Sequence, residues 1–229
     1  FGTGKNNPSD LEGRMYGTAA DYLDMVKNWG LTKPLYICEF VHAMFNSMGS
    51  LDEYSKLFDN TPEILGGAIW EFQDQALWNK RDPNRPILAY GGGFGEFPND
   101  RYFIHKGVVS YDRTTEGNKV KPHYPEMKKA FQWIDTELTD PISGSVSIRN
   151  KYQFLNLSGF ELSWSLTENG TEISNGVVNL TRPVNPRSTG RATIPYKIEQ
   201  PKAGAEYYLR VSYKLKEKTL WADKGFEVA

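Results

Sequence analysis

A carboxylate and a histidine follow a short apolar run near the start of the chain. The run begins after Pro34 and ends on Glu39, and His42 follows three residues later. A buried parallel strand has such a continuous hydrophobic pattern, and α/β barrels hold their active sites at the carboxyl ends of their strands. Glu39 therefore lies where a barrel enzyme places a catalytic acid. A glutamate held in a structural ion pair is the alternative.

A second apolar run follows after one predicted helix. Ser50 and Glu53 give a capping-box pattern before an apolar stripe, which predicts that helix. The next strand is predicted over 66–72 and finishes near Trp70 and Glu71. A strand, a helix and a strand of these lengths indicate a right-handed parallel crossover.

Two further helices are predicted on either side of this unit. Thr18 and Asp21 form a capping pattern before a stripe of helical spacing, and Pro122 to Trp133 has a similar stripe. The segment before Arg14, rich in Gly, Asn and Pro, predicts a loop. A complete (β/α)8 TIM barrel needs roughly 250 residues, so this part of the chain can supply only the last units of one.

The hydrophobic period changes from 3.6 to 2 after Ile142, which indicates strands. Asn169-Gly170 predicts a hairpin turn of the primed type, and Asn175-Gly176 a second one. Roughly seven short strands over about 90 residues are typical of an immunoglobulin-like β-sandwich. We therefore expect two domains, a partial barrel over 1–137 and a sandwich over 138–229.

The segment from Trp78 to Thr115 is dense in Gly, Pro, Asn and Asp. Long loops without structure of their own are uncommon unless they have a function, so an active-site loop is expected. The glycines at 91–95 also permit a phosphate-loop interpretation. That interpretation is weak, because no Lys-Ser/Thr pair and no helical pattern follow them.

Five segments together resemble family 2 of the glycoside hydrolases, the β-galactosidases of the lac type. They keep one order along the chain: residues 37–47 (ICEFVHAMFNS), 66–75 (GGAIWEFQDQ), 90–95 (YGGGFG), 98–101 (PNDR) and 106–109 (KGVV). The resemblance extends from about Met15 to Trp133 and more loosely through the tail. It implies the end of a TIM barrel followed directly by an immunoglobulin-like domain.

By this resemblance, Glu39 is the nucleophile of a retaining glycosidase. Retaining enzymes use two carboxyl groups about 5–5.5 Å apart, one to attack the anomeric carbon and one to protonate the leaving oxygen. Tyr16 stands where the family has a tyrosine bonded to the nucleophile. A tyrosine of the core or rim is the alternative for Tyr16.

The resemblance also implies residues that bind the sugar. His42 matches a histidine that bonds the sugar, Trp70 would offer its ring face to a galactosyl ring, and Asn99 belongs to a matched loop. The alternatives are a structural histidine and a barrel-core tryptophan. Phe45 stands where the family commonly has glycine, so a different loop curvature is expected.

Metal binding is where the chain departs from the family pattern. The family holds Na⁺ with a backbone carbonyl at the position of Phe103 and an asparagine side chain at the position of Lys106. A lysine side chain has no acceptor oxygen, so the Na⁺ site is in doubt and the Lys106 ammonium is a candidate to take its place. A solvated loop lysine is the alternative. Mg²⁺ is implied for the complete enzyme, with ligands from earlier barrel strands, as is the acid/base glutamate.

Composition excludes few function classes. The 229 residues include 39% hydrophobic and 24% charged residues, with a formal net charge of −1. This near-neutral balance argues against nucleic acid or an anionic membrane as partner. The single cysteine, Cys38, excludes an intrachain disulfide. An ordinary soluble protein is expected, with cytoplasm and periplasm both open.

The sequence thus predicts a fragment of a β-galactosidase that acts on terminal β-galactosides. Because general acid catalysis contributes roughly 10²–10⁴-fold, the isolated chain is expected to be nearly inactive without the acid/base glutamate. A β-glucuronidase, a β-mannosidase and a non-catalytic sugar-binding module are the alternatives. An open sheet edge and uncovered apolar residues such as Ile37, Ile69 and Trp70 predict self-association into a homo-oligomer.

Overall fold

The computed structural model describes residues 8–101, 103–110 and 120–229. The described residues up to Phe131 form one compact unit, called the first unit here, and Gln132–Ala229 form the second unit. This division falls earlier than the predicted boundary at 137/138. The reason is that the strand Ile134–Asp140 pairs within the second unit, so a boundary at 137/138 would cut it.

The first unit combines a small parallel sheet, three helices and a hairpin. Its elements are β1 (Glu12–Met15), α1 (Ala19–Asn28), β2 (Leu35–Phe40), α2 (Leu51–Asn60), β3 (Ile64–Ile69), β4 (Leu77–Asn79), β5 (Ile87–Ala89) and α3 (His123–Ala130).

The sheet of the first unit has the order β1-β2-β3, and both neighbouring pairs are parallel. Two strand–helix–strand units therefore follow one another, of which the sequence predicted the second. The predicted loop before Arg14 was wrong at its end, since β1 begins at Glu12. The rest of that predicted loop includes residues 1–7, which lie outside the described residues.

The two capping predictions had different outcomes. Thr18 caps α1 as predicted, with the Thr18 hydroxyl accepting from Asp21 N and the Asp21 carboxylate accepting from Thr18 N. The capping box at Ser50 was wrong, because Ser50 has a left-handed backbone (φ 63°) and its side chain makes no capping hydrogen bond. Helix α2 still forms, because its apolar stripe is buried in the core.

The core of the first unit lies between the sheet and the helices. Tyr22, Leu35, Ile37 and Leu51 are each 0% exposed. The expectation that Ile37 needs cover from another copy of the chain was therefore wrong. The chain itself covers Ile37, since helices α1 and α2 pack residues into the same cluster.

The long glycine-rich segment contains more structure than expected. Strands β4 and β5 pair as an antiparallel hairpin. In the glycine cluster that follows, Gly92 N and Phe94 N donate to the Glu96 carboxylate at 2.5 and 3.0 Å. These N–H groups are occupied by an internal carboxylate, which disfavours the phosphate-loop interpretation. Residues 111–115 of the predicted loop lie outside the described residues.

The helices described in the first unit are short. Helices α1 and α2 have ten residues each, and α3 has eight, fewer than the predicted Pro122 to Trp133. A membrane-spanning helix needs about 20 apolar residues. In the described part of the chain, no helix is long and apolar enough to cross a membrane.

The second unit consists of two three-stranded antiparallel sheets that share one core. The sheets have the orders β10-β7-β6 and β11-β8-β9. The strands are β6 (Ile134–Asp140), β7 (Ser145–Asn150), β8 (Phe160–Glu168), β9 (Thr171–Val178), β10 (Thr189–Thr193) and β11 (Tyr207–Leu215). Inward side chains alternate along β7 and β8, so Val146 and Ile148 of one sheet and Leu162 and Leu166 of the other join the same cluster.

The two turn predictions in this unit also had different outcomes. Asn169 and Gly170 form the two-residue turn between β8 and β9, with φ values of 48° and 81°, as a primed turn requires. The second turn was wrong, because Asn175 and Gly176 lie inside β9. Gly176 pairs with Trp164, and a Cβ there would lie 2.9 Å from the indole nitrogen, so packing explains this glycine.

Candidate active site

The structure brings Tyr16 and Glu39 together at the end of the parallel sheet. The Tyr16 hydroxyl donates a 2.6 Å hydrogen bond to Glu39 Oε2. The backbone continues the β1–β2 pairing here, since Tyr16 N donates to the Glu39 carbonyl at 3.0 Å. The tyrosine is therefore fixed against the carboxylate by its main chain as well as by its side chain.

Tyr16 stays protonated at neutral pH. Burial and the hydrogen bond to Glu39 both raise the pKa of its phenol, because an ionised phenol would face a carboxylate. The hydroxyl is thus held as a donor toward Glu39. The residue nevertheless remains partly exposed to solvent.

His42 lies between two aromatic rings beside Glu39. Its ring centroid is 5.9 Å from that of Tyr16 and 5.4 Å from that of Phe103. Burial and the nearby Lys106 charge lower the pKa of His42, so the imidazole is neutral at pH 7. A neutral imidazole has one donor and one acceptor nitrogen, which suits a sugar hydroxyl.

Lys106 is buried among aromatic rings. The residue is 1% exposed, and its ammonium lies 3.4 Å from the Phe103 ring centroid. The ring centroids of Trp70 and Tyr90 are 5.4 and 5.5 Å away. We call Trp70, Tyr90, Phe103 and Lys106 the aromatic cage. The alternative of a solvated loop lysine was wrong, because the rings exclude water from the side chain.

The charge of Lys106 is balanced by Glu71. Lys106 Nζ lies 3.7 Å from Glu71 Oε1, while Glu71 Oε2 accepts from Gln75 at 2.8 Å. Burial lowers the pKa of Lys106, and Glu71 opposes that shift. Burial likewise raises the pKa of Glu71, and Lys106 opposes it. The two groups thus stabilise each other's charged form in a poorly hydrated site.

Backbone pairing holds the loop of Lys106 against the end of β3. Glu71 N donates to the Lys106 carbonyl at 3.1 Å, and Val108 N donates to the Glu71 carbonyl at 2.9 Å. Gly107 sits so close to this segment that a Cβ would lie 2.1 Å from Asp74 N. Only glycine fits at 107, and the close approach sets the position of Lys106.

Asp74 holds the same loop in place through its carboxylate. Its carboxylate is 1% exposed and accepts from Gly107 N at 2.7 Å. The Lys121 ammonium also bonds to it, and His105 Nδ1 lies 3.3 Å from Oδ2. A buried carboxylate with several donors is well satisfied, so Asp74 anchors the loop that carries the aromatic cage.

The residues around Phe103 do not fit the expected sodium site. The position at which the family has an asparagine oxygen holds the buried Lys106 ammonium instead. A second cation about 4 Å from it would meet a repulsion on the order of 4 kcal/mol at an effective dielectric constant of about 20. For Mg²⁺, the described residues contain no cluster of three or more metal-binding side chains.

Asn99 and Phe45 shape their own loops. The Asn99 side chain donates to the Glu96 carbonyl at 2.9 Å and accepts from Arg101 N at 3.1 Å, so its binding of sugar stays a prediction. Phe45 has a φ of 59°, a value that glycine adopts easily, and its ring is 67% exposed.

The sequence did not single out Tyr90 or assign Asp74 and Glu71 specific partners. Tyr90 lines the aromatic cage and bonds to Asp100 at 3.2 Å. The signal available was its place directly before the glycine cluster, in a segment that matches the family. A buried ammonium also requires a carboxylate nearby, and Glu71 is the acidic residue next to Trp70.

Comparison with known proteins agrees with this architecture. Residues 6–135 match the family model described as glycosyl hydrolases family 2, TIM barrel domain, and residues 146–229 match the one described as beta-galactosidase, domain 4. The chain therefore belongs to family 2 of the glycosyl hydrolases. The parallel sheet with its helices is part of that family's barrel domain, and the antiparallel unit is the domain that follows it.

Curated relatives carry the name beta-galactosidase. The one from Priestia megaterium is 36% identical over 225 residues, which are 96% of this chain and 21% of the relative. The one from Clostridium acetobutylicum is 34% identical over 95% of this chain and 23% of its own length. The one from Vibrio vulnificus is 37% identical over 89% and 20%. The chain thus spans about a fifth of the length of these relatives.

Proposed function

We propose that this chain supplies the nucleophile half of the active site of a retaining β-galactosidase. The hydrogen bond between Tyr16 and Glu39, in a chain of this family, is the observation that carries the proposal. The names of the relatives support galactosides as the substrate class. The reaction mechanism and the roles of individual residues are finer parts of the same proposal.

In the proposed reaction, Glu39 Oε1 attacks the anomeric carbon of a terminal β-D-galactoside. The glycosidic bond breaks as the new ester bond forms, and water later hydrolyses the glycosyl-enzyme. Tyr16 donates to Oε2, which orients the carboxylate and leaves Oε1 to attack. His42 bonds a sugar hydroxyl, and the partly exposed Trp70 offers its ring to the apolar face of galactose.

The described residues offer no good candidate for the acid/base glutamate. Glu71 is half-buried, its charge acts on the Tyr16 phenol, and burial raises the pKa of the Glu71 carboxyl. It is nevertheless committed to Lys106 and Gln75, so a support role is the better proposal. We therefore expect the isolated chain to be nearly inactive, since loss of the general acid costs roughly 10²–10⁴-fold.

Other substrates within the family are the nearest alternatives. A β-glucuronidase needs a cation for the uronate carboxylate, but the Lys106 charge is enclosed by rings and already balanced by Glu71. That arrangement favours a neutral sugar over a uronide. A β-mannosidase differs only in the configuration of neutral hydroxyls, so a direct comparison of glycosides must decide between them.

The proposal also includes the fold type of the second unit and the oligomeric state of the protein. The two antiparallel sheets around one core support an immunoglobulin-like sandwich as the finer description. Leu65 is an exposed apolar side chain on the edge strand β3, which supports a homo-oligomer. Galactosides remain the proposed ligands.

Covalent labelling in the full-length protein tests the proposed function. A 2-deoxy-2-fluoro galactoside with a good leaving group should trap the enzyme as an ester on Glu39, located by peptide mass spectrometry. The glucoside, mannoside and glucuronide analogues serve as controls and should label far more slowly. Labelling of another residue would overturn the assignment, and sugar binding without any labelling would favour the non-catalytic module.

A further inference from the structure

Lys106 presents an unusual combination of charge and burial. The residue is 1% exposed, and its ammonium lies 3.4 Å from the centroid of the Phe103 ring. The Glu71 oxygen it faces is 3.7 Å away, longer than a direct hydrogen bond of about 2.9 Å. The same Glu71 oxygen has no hydrogen-bond partner among the described residues. The pair is therefore held together by charge rather than by a short hydrogen bond.

The surroundings of this ammonium are those of a bound monovalent cation. Ring faces of Trp70, Tyr90 and Phe103 point at it, and aromatic faces attract cations electrostatically. Glu71 supplies the counter-charge. The side chain is enclosed, so it contacts these rings and Glu71 rather than solvent.

The same geometry excludes an exchangeable ion from this point. A free Na⁺ would need several oxygen ligands, but the surrounding rings offer none, and the Glu71 carboxylate is already balanced by the Lys106 ammonium. The backbone pairing between Glu71 and Lys106 fixes the lysine in place, so it cannot simply move aside. Position 106 thus decides whether the cation at this site is covalently attached or drawn from solution.

We propose that Lys106 is a built-in cation that positions Trp70, Tyr90 and Phe103 for sugar binding and makes the site independent of sodium. The inference rests on the proposed function, since the aromatic cage is taken to border the sugar. It assigns Lys106 a positioning role and Glu71 the role of its counter-ion. The cage residues then need no monovalent ion to hold their arrangement.

The test uses the full-length protein with a galactoside substrate and with sodium replaced by tetramethylammonium at constant ionic strength. Wild-type kcat and KM should stay within about twofold as sodium is added. Lys106→Met should raise KM by about tenfold or more, the order of one desolvated cation–π interaction, and sodium should not restore it. Lys106→Asn should lose a similar amount and recover with sodium, because an amide oxygen is a suitable ligand. Lys56→Asn, at an exposed lysine, is the control.

A wild-type KM that falls severalfold with sodium would overturn the inference. So would a Lys106→Met variant with unchanged KM. The thermal unfolding midpoint of each variant with and without sodium gives a second readout that needs no catalysis: only Lys106→Asn should gain a sodium-dependent rise. If no galactoside is hydrolysed, the proposed function fails, whereas the sodium response of the unfolding midpoint still supports or overturns the built-in cation. The wild-type sodium titration keeps the inference falsifiable even if a variant does not fold.

Discussion

The Tyr16 hydroxyl and Glu39 Oε2 are 2.6 Å apart, and the backbone of the same two residues is joined at 3.0 Å. Two contacts between one pair of residues fix both the position and the orientation of the carboxylate. Hydrogen bonds to an ionised acceptor are shorter and stronger than neutral ones. Tyr16 is therefore suited to hold one oxygen of Glu39 while the other reacts.

Glu39→Gln in the full-length protein should abolish hydrolysis and preserve sugar binding. The amide keeps the shape and removes the attacking oxygen, so kcat should fall by at least about a thousandfold. Steady-state kinetics gives kcat, and calorimetry with galactose gives binding. Glu63→Gln, at an exposed glutamate, should leave both unchanged. Retention of more than about a tenth of the wild-type kcat would refute the assignment of the nucleophile.

Tyr16→Phe should weaken catalysis without removing it. The change deletes one hydrogen bond to a charged group, worth about 1.5–3 kcal/mol, so kcat/KM should fall roughly 10- to 150-fold. The backbone bond between the two residues remains, so the carboxylate keeps its place while one of its oxygens loses its donor. Tyr36→Phe, on the strand that carries Glu39, is the control. A Tyr16→Phe variant with a kcat/KM within about twofold of the wild type would contradict the proposed role of the hydroxyl.

Local patterns in the sequence predicted much of the fold. The apolar run before Glu39 predicted β2, and the Asn169-Gly170 pair predicted the turn between β8 and β9. The wrong turn prediction at Asn175-Gly176 has a tertiary cause, since Gly176 is set by packing rather than by local propensity. A glycine next to Asn looks like a turn until the opposite strand is known to place Trp164 against it.

The site was only partly predictable for a similar reason. The strand pattern indicated Glu39, and the resemblance added Tyr16 and the role of His42. Neither could show that Lys106 is buried, because its burial depends on rings from three separate segments. The pairing of residues 71–74 with 106–109 has no periodic signal, so the partners of Asp74 and Glu71 emerged only in three dimensions.

Asp74→Asn should destabilise the first unit. The substitution leaves the Lys121 ammonium without its carboxylate and weakens the bond from Gly107 N. Breaking a buried ion pair by removing one partner costs about 3–5 kcal/mol. Urea denaturation of the chain, followed by tryptophan fluorescence, measures the loss. Asp52→Asn, in an exposed pair with Lys56, should cost less than about 1 kcal/mol. Equal effects of the two substitutions would contradict the anchoring role of Asp74.

The second unit should fold by itself from residue 132 onward. Residues 132–229 keep β6, whose Ile134 is buried, and the bond from Lys151 N to the Trp133 carbonyl. A fragment of 142–229 lacks β6 and leaves β7 unpaired on one side. The longer fragment should give dispersed amide resonances and one cooperative melt, and the shorter one a clearly lower melting temperature. Equal stability of both fragments would show that β6 is dispensable.

The protonation of His42 should make the first unit less stable in acid. Burial and the Lys106 charge lower the pKa of His42 in the folded chain below its ordinary value of 6.5. As the pH falls, His42 therefore binds a proton in the unfolded chain before it does so in the folded chain. The stabilisation that neutral His42 gives the folded chain is complete above pH 6.5 and is lost as the pH falls through the folded pKa. In His42→Gln this contribution is absent, while all other titrating groups are shared. The wild-type advantage in urea midpoint over His42→Gln should thus shrink between pH 7 and pH 5. An advantage that grows toward pH 5 would show that the folded state favours the charged imidazole.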